Sequence, residues 1–233
     1  MIAIYIHWPF CKSKCPYCDF NSHVAEKINY VDWQSAYLRE IEYFSSYLHN
    51  KKIASIYFGG GTPTLMPPFI AGAIIEKLRS KASFTDDIEI TLEGNPTSTE
   101  VAKLKDFKSF GVNRVSLGVQ ALNDSDLKFL GREHSASEAK KAVEKAAGVF
   151  SNYSFDLIYA RPQQTIAAWQ TELEEAMSFA ANHISLYQLT IEKGTKFYTD
   201  YVQGKFAMPD DELAADFYQL TNDLQKNYLW KWV

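Results

Sequence analysis

The chain has 233 residues, 46% of them hydrophobic, and a formal net charge of −4. That is enough apolar material for one sizeable core in one domain, and the acidic balance excludes the basic footprint of a nucleic-acid binder. No run approaches the ~18 apolar residues of a membrane span, and the first residues lack the charged n-region and small-residue cleavage site of a signal peptide.

Apolar, β-rich runs alternate with helix-period segments along the chain. The first strand is expected over Ile2–His7. Leu38, Ile41, Phe44 and Leu48 then mark one helical face. Strands at Ile53–Phe58 and Ile88–Leu92 follow. Thr97-x-x-Glu100 can cap a helix that runs through Val101, Leu104 and Lys108 and ends at Gly111. After a strand at Arg114–Val119, a second capping box, Ser135-x-x-Glu138, precedes Val143 and Ala147. A strand at Phe155–Tyr159 leads to the stripe Ile166, Trp169, Leu173, Met177. A last strand at Ile184–Leu189 leads to Leu213, Phe217, Leu220 and Leu224. Six alternating strand–helix units predict an α/β fold with a parallel sheet and right-handed crossovers. A closed eight-unit barrel takes ~250 residues, so a partial, open (β/α)6 barrel is expected, as one domain over 1–233. Its chemistry should sit at the C-terminal ends of the strands.

All three cysteines, Cys11, Cys15 and Cys18, directly follow the first strand. An odd, clustered set argues against a disulfide framework and for a reducing, cytosolic location. The spacing Cys-x3-Cys-x2-Cys delivers three thiolates to one point, one ligand short of a tetrahedral centre. An iron–sulfur cluster held this way keeps one iron open to a non-protein ligand. The alternative is structural zinc with His7 or His23 as fourth ligand, although such sites usually come as two spaced pairs. Past the second strand lies Gly59-Gly60-Gly61-Thr62-Pro63-Thr64. This is either a tight turn or a loop whose backbone approaches a ligand, with amides free for an anion. Further polar groups mark other strand ends: Glu93, Gln120, Asp156, Tyr187 and Gln188, with Arg132 in a following loop. A carboxylate in an apolar strand is costly unless partnered. Glu93 and Asp156 therefore either meet a ligand or pair with Arg114, Arg132 or Arg161. The histidines (His7, His23, His49, His134, His183) single out no haem ligand, and the tryptophans read as core and rim.

Together these residues resemble the radical S-adenosylmethionine (SAM) superfamily. Cys11-x3-Cys15-x2-Cys18, with Tyr17 before the third cysteine, is similar to its cluster signature, and Gly59-Gly60-Gly61-Thr62-Pro63 to its loop for the SAM amino group. Tyr5-Ile6-His7-Trp8-Pro9-Phe10-Cys11, Leu117-Gly118-Val119-Gln120 and Asp156-Leu157-Ile158-Tyr159 resemble the oxygen-independent coproporphyrinogen III oxidase family over nearly the whole chain. True oxidases carry a fourth cysteine two residues after the third, where this chain has Phe20. With the short lead before the first strand, this is similar to the HemW-type haem chaperones of that family.

The resemblance implies a [4Fe-4S] cluster on Cys11, Cys15 and Cys18, with SAM on the fourth iron. It places Tyr5, Tyr17, Gly60, Gly61, Thr62, Glu93, Gln120, Arg132 and Asp156 around SAM. One electron through the cluster would cleave SAM to methionine and a 5′-deoxyadenosyl radical. It further implies haem or porphyrin as ligand, a haem-acceptor protein and an electron donor. The alternatives are an oxidase that decarboxylates coproporphyrinogen, or an inactive truncated relative. Two departures stand out. The family's Gly-Leu-Pro-Gly-Gln is here Ala160-Arg161-Pro162-Gln163-Gln164, which is expected to reshape that loop. The family also continues well past Tyr228–Val233 into a domain with a haem-linked His-Asn-x-x-Tyr-Trp motif, so the chain reads as C-terminally truncated.

Overall fold

The computed structural model describes residues 1–181 and 183–227. Its main sheet holds β1 (Ile2–Trp8), β2 (Lys52–Gly60), β3 (Ser83–Gly94), β4 (Arg114–Gln120), β5 (Asn152–Tyr159) and β6 (Ser185–Gln188). They lie side by side in chain order, every neighbouring pair parallel. The sheet curls into a half-barrel, the open (β/α)6 architecture expected from the alternation. Its helices include α1 (Tyr30–Tyr43), α2 (Pro68–Arg79), α3 (Leu104–Ser109), α4 (Ala136–Val149), α5 (Ile166–Phe179) and α6 (Asp211–Asn227).

The strands alternate sharply. Ile56, Phe58, Ile90, Leu92, Val115, Leu117, Phe155 and Leu157 point to the helices and join one core with Ile70, Ile74, Phe107, Val143, Trp169 and Phe217. The residues between them (Tyr57, Thr91, Glu93, Arg114, Ser116, Ser154, Asp156) form the concave face. Side chains on a strand alternate with period two, so one covered face and one polar face follow from this pattern. Each fully buried large apolar side chain contributes about 1.5–3 kcal/mol. Trp169, fully buried on α5, also donates from Nε1 to Thr221 Oγ1 at 2.8 Å and so pins α6.

Local signals behaved unevenly. The Ser135–Glu138 capping box is formed in both directions, but Ala147 is exposed and Ala142 and Ala146 carry the buried face instead. The helix expected from Thr97 to Gly111 breaks at Ala102–Lys103 into Ser98–Val101 and α3. Thr97 makes no side-chain cap bond there, because Glu100 turns inward to Thr64 Oγ1 and to Asn95 N at 2.9 Å. The Leu38–Leu48 stripe is likewise interrupted, since α1 ends at Tyr43 and a separate turn, Ser45–Leu48, follows. Helix α2 is an addition, opened by Pro68 at its first position. Tyr228–Val233 lies outside the described residues. No helix among those described is long and apolar enough to cross a membrane.

Candidate functional site

The loop after β1 carries the cysteines and is tied down at several points. Trp8, fully buried, packs against Phe10, Tyr30 and Trp33. Tyr37 Oη donates to His7 O at 2.6 Å, and His7 Nε2 lies 2.9 Å from Asn21 O. Lys14 Nζ donates to Phe20 O and Ser22 O at 3.2 and 3.3 Å, closing the loop on itself. Phe10–Cys11 and His23–Val24 pair as a small ladder. The three thiols are free and half-buried. Burial pushes the Cys18 thiol up, and Cys15 and Cys11 beside it push the same way. Thiols held together like this ionise readily only when a cation joins them.

Two of the sulfurs are linked by a polar relay. Arg132 Nη1 donates to Cys15 Sγ at 3.2 Å, and its Nη2 donates to Asn95 Oδ1 and to Gly118 O, the latter at 2.9 Å. Asn95 Nδ2 donates to Thr62 Oγ1 at 3.2 Å, and Thr62 Oγ1 donates to Cys11 Sγ at 3.6 Å. Among the described residues, no three His, Cys, Asp or Glu side chains converge as the ligands of one metal ion would. A mononuclear zinc centre needs that convergence. A cluster needs the three thiolates around one cube, each on its own iron, and not on a single ion.

The glycine loop closes onto the cysteine loop. Gly61 N donates to Trp8 O at 2.6 Å and Thr62 N to Phe10 O at 2.8 Å, while the Gly60 amide supports the Glu93 carboxylate. These amides are therefore taken up by protein: the Gly60 amide meets a carboxylate, that of Glu93, while those of Gly61 and Thr62 bind backbone carbonyls and not an anion. The glycines are needed for close approach. A Cβ on Gly61 would lie 2.6 Å from Phe10 O, and Gly60 has φ +109° with His7 Nδ1 2.5 Å from where its Cβ would be.

Glu93 and Asp156 stand on neighbouring parts of the concave face. Burial pushes the Glu93 carboxyl up, and it accepts from Tyr57 Oη at 2.6 Å. Burial also pushes Asp156 up to about 6, with Glu93 adding repulsion and Ser185 and Ser116 hydroxyls opposing it; the Ser116 bond is 3.3 Å. The arginines proposed as their partners are engaged elsewhere. Arg114 meets Thr91 Oγ1, Ser154 Oγ and His183 Nδ1 at 3.3, 2.8 and 2.9 Å. Arg132 serves the relay. Arg161 pairs with Asp126 at 2.7 Å and with Glu172. Among the described residues neither Glu93 nor Asp156 has an ion-pair partner.

The departing loop after β5 keeps a glycine-like backbone without glycine. Ala160 and Gln163 have φ of +56° and +63°, and Gln120 on β4 has +74°. Non-glycine residues in this region hold strain that the surroundings must enforce. Arg161, 1% exposed, does so: its Nη1 donates to Ile158 O at 2.7 Å and to Gln120 O at 3.5 Å. Glu172, its partner on α5, accepts Leu122 N at 2.7 Å. The added charge braces the loop from within.

One cavity of about 420 Å³ is lined by Cys11, Cys15, Cys18, Tyr17, Gly60, Gly61, Thr62, Glu93, Gln120, Arg132 and Asp156. Tyr5 lies outside that wall. It is 58% exposed, stacks on Tyr57 at 6.2 Å and sits 3.4 Å from His7 Nδ1. Tyr187 and Gln188 also line the cavity. Sequence reasoning missed Asn95, Ser116 and His134, which line it too. Asn95, before Pro96 at the end of β3, carried a usable signal, since Asn-Pro marks a chain turning at a strand end. His134 is buried, pushed down to about 4 by burial and by Arg132, and its Nε2 bonds Val119 O at 3.0 Å.

The sequence profile of the Radical SAM superfamily matches residues 5–176. The chain belongs to this superfamily. Membership implies a [4Fe-4S] cluster and SAM. The chain is 39% identical to zebrafish (Danio rerio) "Radical S-adenosyl methionine domain-containing protein 1, mitochondrial", over 93% of this chain and 49% of that protein. It is 38% identical to "Heme chaperone HemW" of Haemophilus influenzae, over 96% of this chain and 59% of the relative. The radical SAM chain thus spans about half the length of the curated relatives it matches. Its fold is similar to coproporphyrinogen III oxidase (HemN) of Escherichia coli, with a TM-score of 0.82 at 24% identity, covering 97% of this chain and 52% of that one.

Proposed function

We propose that Cys11, Cys15 and Cys18 hold a [4Fe-4S] cluster, that SAM lies beside it in the cavity, and that the protein binds and passes on haem as a HemW-type chaperone. The observation that carries the SAM part is the pair of buried carboxyls, Glu93 and Asp156, facing the cavity with no ion-pair partner among the described residues, Arg114 offsetting their charge only at longer range. SAM brings an ammonium and a sulfonium, and an uncompensated buried carboxylate is costly.

The donor set fits both groups. Thiolates are the usual ligands of iron–sulfur clusters. Buried Gln120 Oε1 and Arg132 Nε have no hydrogen-bond partner among the described residues, an acceptor and a donor left for a ligand. When bound, cluster and SAM supply reducing, radical-generating chemistry at the sulfonium carbon. The chain's residues bind, orient and exclude water. Arg132 and Thr62 donate to the thiolates and steady their charge. Glu93 and Asp156 face the cationic end of SAM, and Gln120, held by its backbone, presents a fixed amide. Gly60 and Gly61 let the second loop come close enough to complete the wall.

The haem part rests on similarity to the haem chaperones and on Phe20, 61% exposed at the cavity, where the oxidases carry a thiol. We place the protein in a reducing compartment, the cytoplasm in a bacterial host. Titrating haem and following absorbance tests the assignment: a saturable change at one haem per chain is expected. No saturation, or release of a decarboxylated tetrapyrrole from coproporphyrinogen, overturns it in favour of an inert or an oxidase reading.

A further inference from the structure

Asn95 follows β3 and sits between the two side chains that reach the cysteine sulfurs. Arg132 Nη1 donates to Cys15 Sγ at 3.2 Å, and its Nη2 donates to Asn95 Oδ1. Asn95 Nδ2 donates to Thr62 Oγ1 at 3.2 Å, and Thr62 Oγ1 donates to Cys11 Sγ at 3.6 Å. Chemistry fixes the direction of every bond in this chain. A guanidinium has no acceptor, so Asn95 must turn its carbonyl oxygen to Arg132 and its amide to Thr62. Thr62 accepts from that amide and keeps its own proton for Cys11. The hub is held still from behind: Asn95 N donates to Glu100 Oε2 at 2.9 Å, and Glu100 also takes the hydroxyls of Thr64 and, at 3.1 Å, Thr97. Gly118 leaves the space in which the amide and the guanidinium meet. Its Cβ would lie 3.4 Å from Arg132 Nη2 and 3.7 Å from Asn95 Oδ1.

The sulfur ligands of a cluster grow more negative when the cluster gains an electron. Hydrogen bonds to those sulfurs therefore favour the reduced state and raise the potential, most strongly when the donor is charged. Bonds in series polarise one another, so the guanidinium acts on Cys15 directly and strengthens the Thr62 donor to Cys11 through Asn95. We propose that Asn95 is a positioning residue that sets the reduction potential of the cluster by aiming the Arg132 and Thr62 donors at Cys15 and Cys11. This rests on the cluster assignment above. The amide is what matters, not the shape. An aspartate at this position has acceptors only. It would draw the Thr62 proton away from Cys11, and its charge would cancel that of Arg132 beside Cys15.

The test is a redox titration of the anaerobically reconstituted chain without SAM, read from the paramagnetic signal of the reduced cluster and so independent of turnover. Asn95→Asp is expected to shift the one-electron equilibrium about tenfold toward the oxidised form, a midpoint lower by about 59 mV. Thr62→Val deletes the donor to Cys11, keeps the shape, and is expected to lower the midpoint by less. Both changes act on one proton, so the double variant is expected to fall short of the sum of the single shifts. An unmoved midpoint in iron-loaded Asn95→Asp, or strictly additive shifts, overturns the proposal. The iron-free protein gives a second readout should a variant load poorly. The side-chain NH2 pair of Asn95 in proton–nitrogen correlation spectra, identified by its loss in Asn95→Asp, is expected to move in Thr62→Val; a pair that stays in place overturns the relay. Iron analysis separates the two claims. A wild-type chain that takes up no four-iron cluster overturns the cluster assignment and the tuning with it, whereas a loaded chain with an unmoved midpoint overturns the tuning alone.

Discussion

Two regions of this half-barrel handle buried charge in opposite ways. Under the loop after β5, the Arg161 guanidinium is surrounded by Glu172, Asp126 and two backbone carbonyls. On the concave face, Glu93 and Asp156 are buried enough to be pushed up; Arg114 opposes this only at longer range, and among the described residues no cation pairs with either. The first arrangement answers its charge within the chain, with only Arg161 Nε left without a hydrogen-bond partner among the described residues; the second has no paired cation, which is what the proposed SAM would supply. A buried ion pair that is cut exposes its full desolvation penalty, whereas removing an unpaired buried charge relieves one.

The largest expected effect breaks the first region. Arg161→Leu, the residue the family carries there, leaves Glu172 and Asp126 unanswered and is expected to cost about 3–5 kcal/mol, read from urea unfolding; a neutral effect would deny the brace its role. Next comes Gly61→Ala, whose Cβ meets Phe10 backbone at 2.6 Å. It is expected to lose about 1–3 kcal/mol and to lower iron loading, because the glycine and cysteine loops must separate.

The second region should respond with the opposite sign. Asp156→Asn is expected to leave stability at pH 7 unchanged or raise it by about 1 kcal/mol, while SAM affinity falls about tenfold, the equivalent of one weakened charge contact. The pH dependence sharpens this. Asp156 is raised from 3.8 to about 6, so its contribution to stability is complete below its unfolded value and is lost as pH rises through about 6. Between those limits, wild type should lose stability relative to Asp156→Asn. SAM affinity should move the other way, rising with pH through about 6 as the carboxylate forms. Equal pH profiles for the two proteins would contradict this.

Much of the architecture was legible because it depends on period and spacing. Strand positions follow from apolar alternation, and the cysteine and glycine loops follow from their places at strand ends. What escaped depends on tertiary competition. Glu100 reads as a capping residue, but Thr64 and Asn95 draw it inward and the helix breaks behind it. The amides of the glycine loop read as able to take an anion, but Trp8 O and Phe10 O claim those of Gly61 and Thr62, and the anion at Gly60 is the chain's own Glu93. Ala160 and Gln163 read as lost glycines, yet both take left-handed backbone beside the buried Arg161. Asn95 bridges two cysteine sulfurs through partners on three separate segments, a juxtaposition that no local spacing reveals.

The most direct measurement is electron paramagnetic resonance of the reduced, anaerobically reconstituted protein with and without SAM. A cluster held by Cys11, Cys15 and Cys18 with one open iron predicts a [4Fe-4S] signal that changes when SAM is added and disappears in Cys15→Ala. A signal indifferent to SAM, or metal content that is zinc in place of iron, would contradict the account.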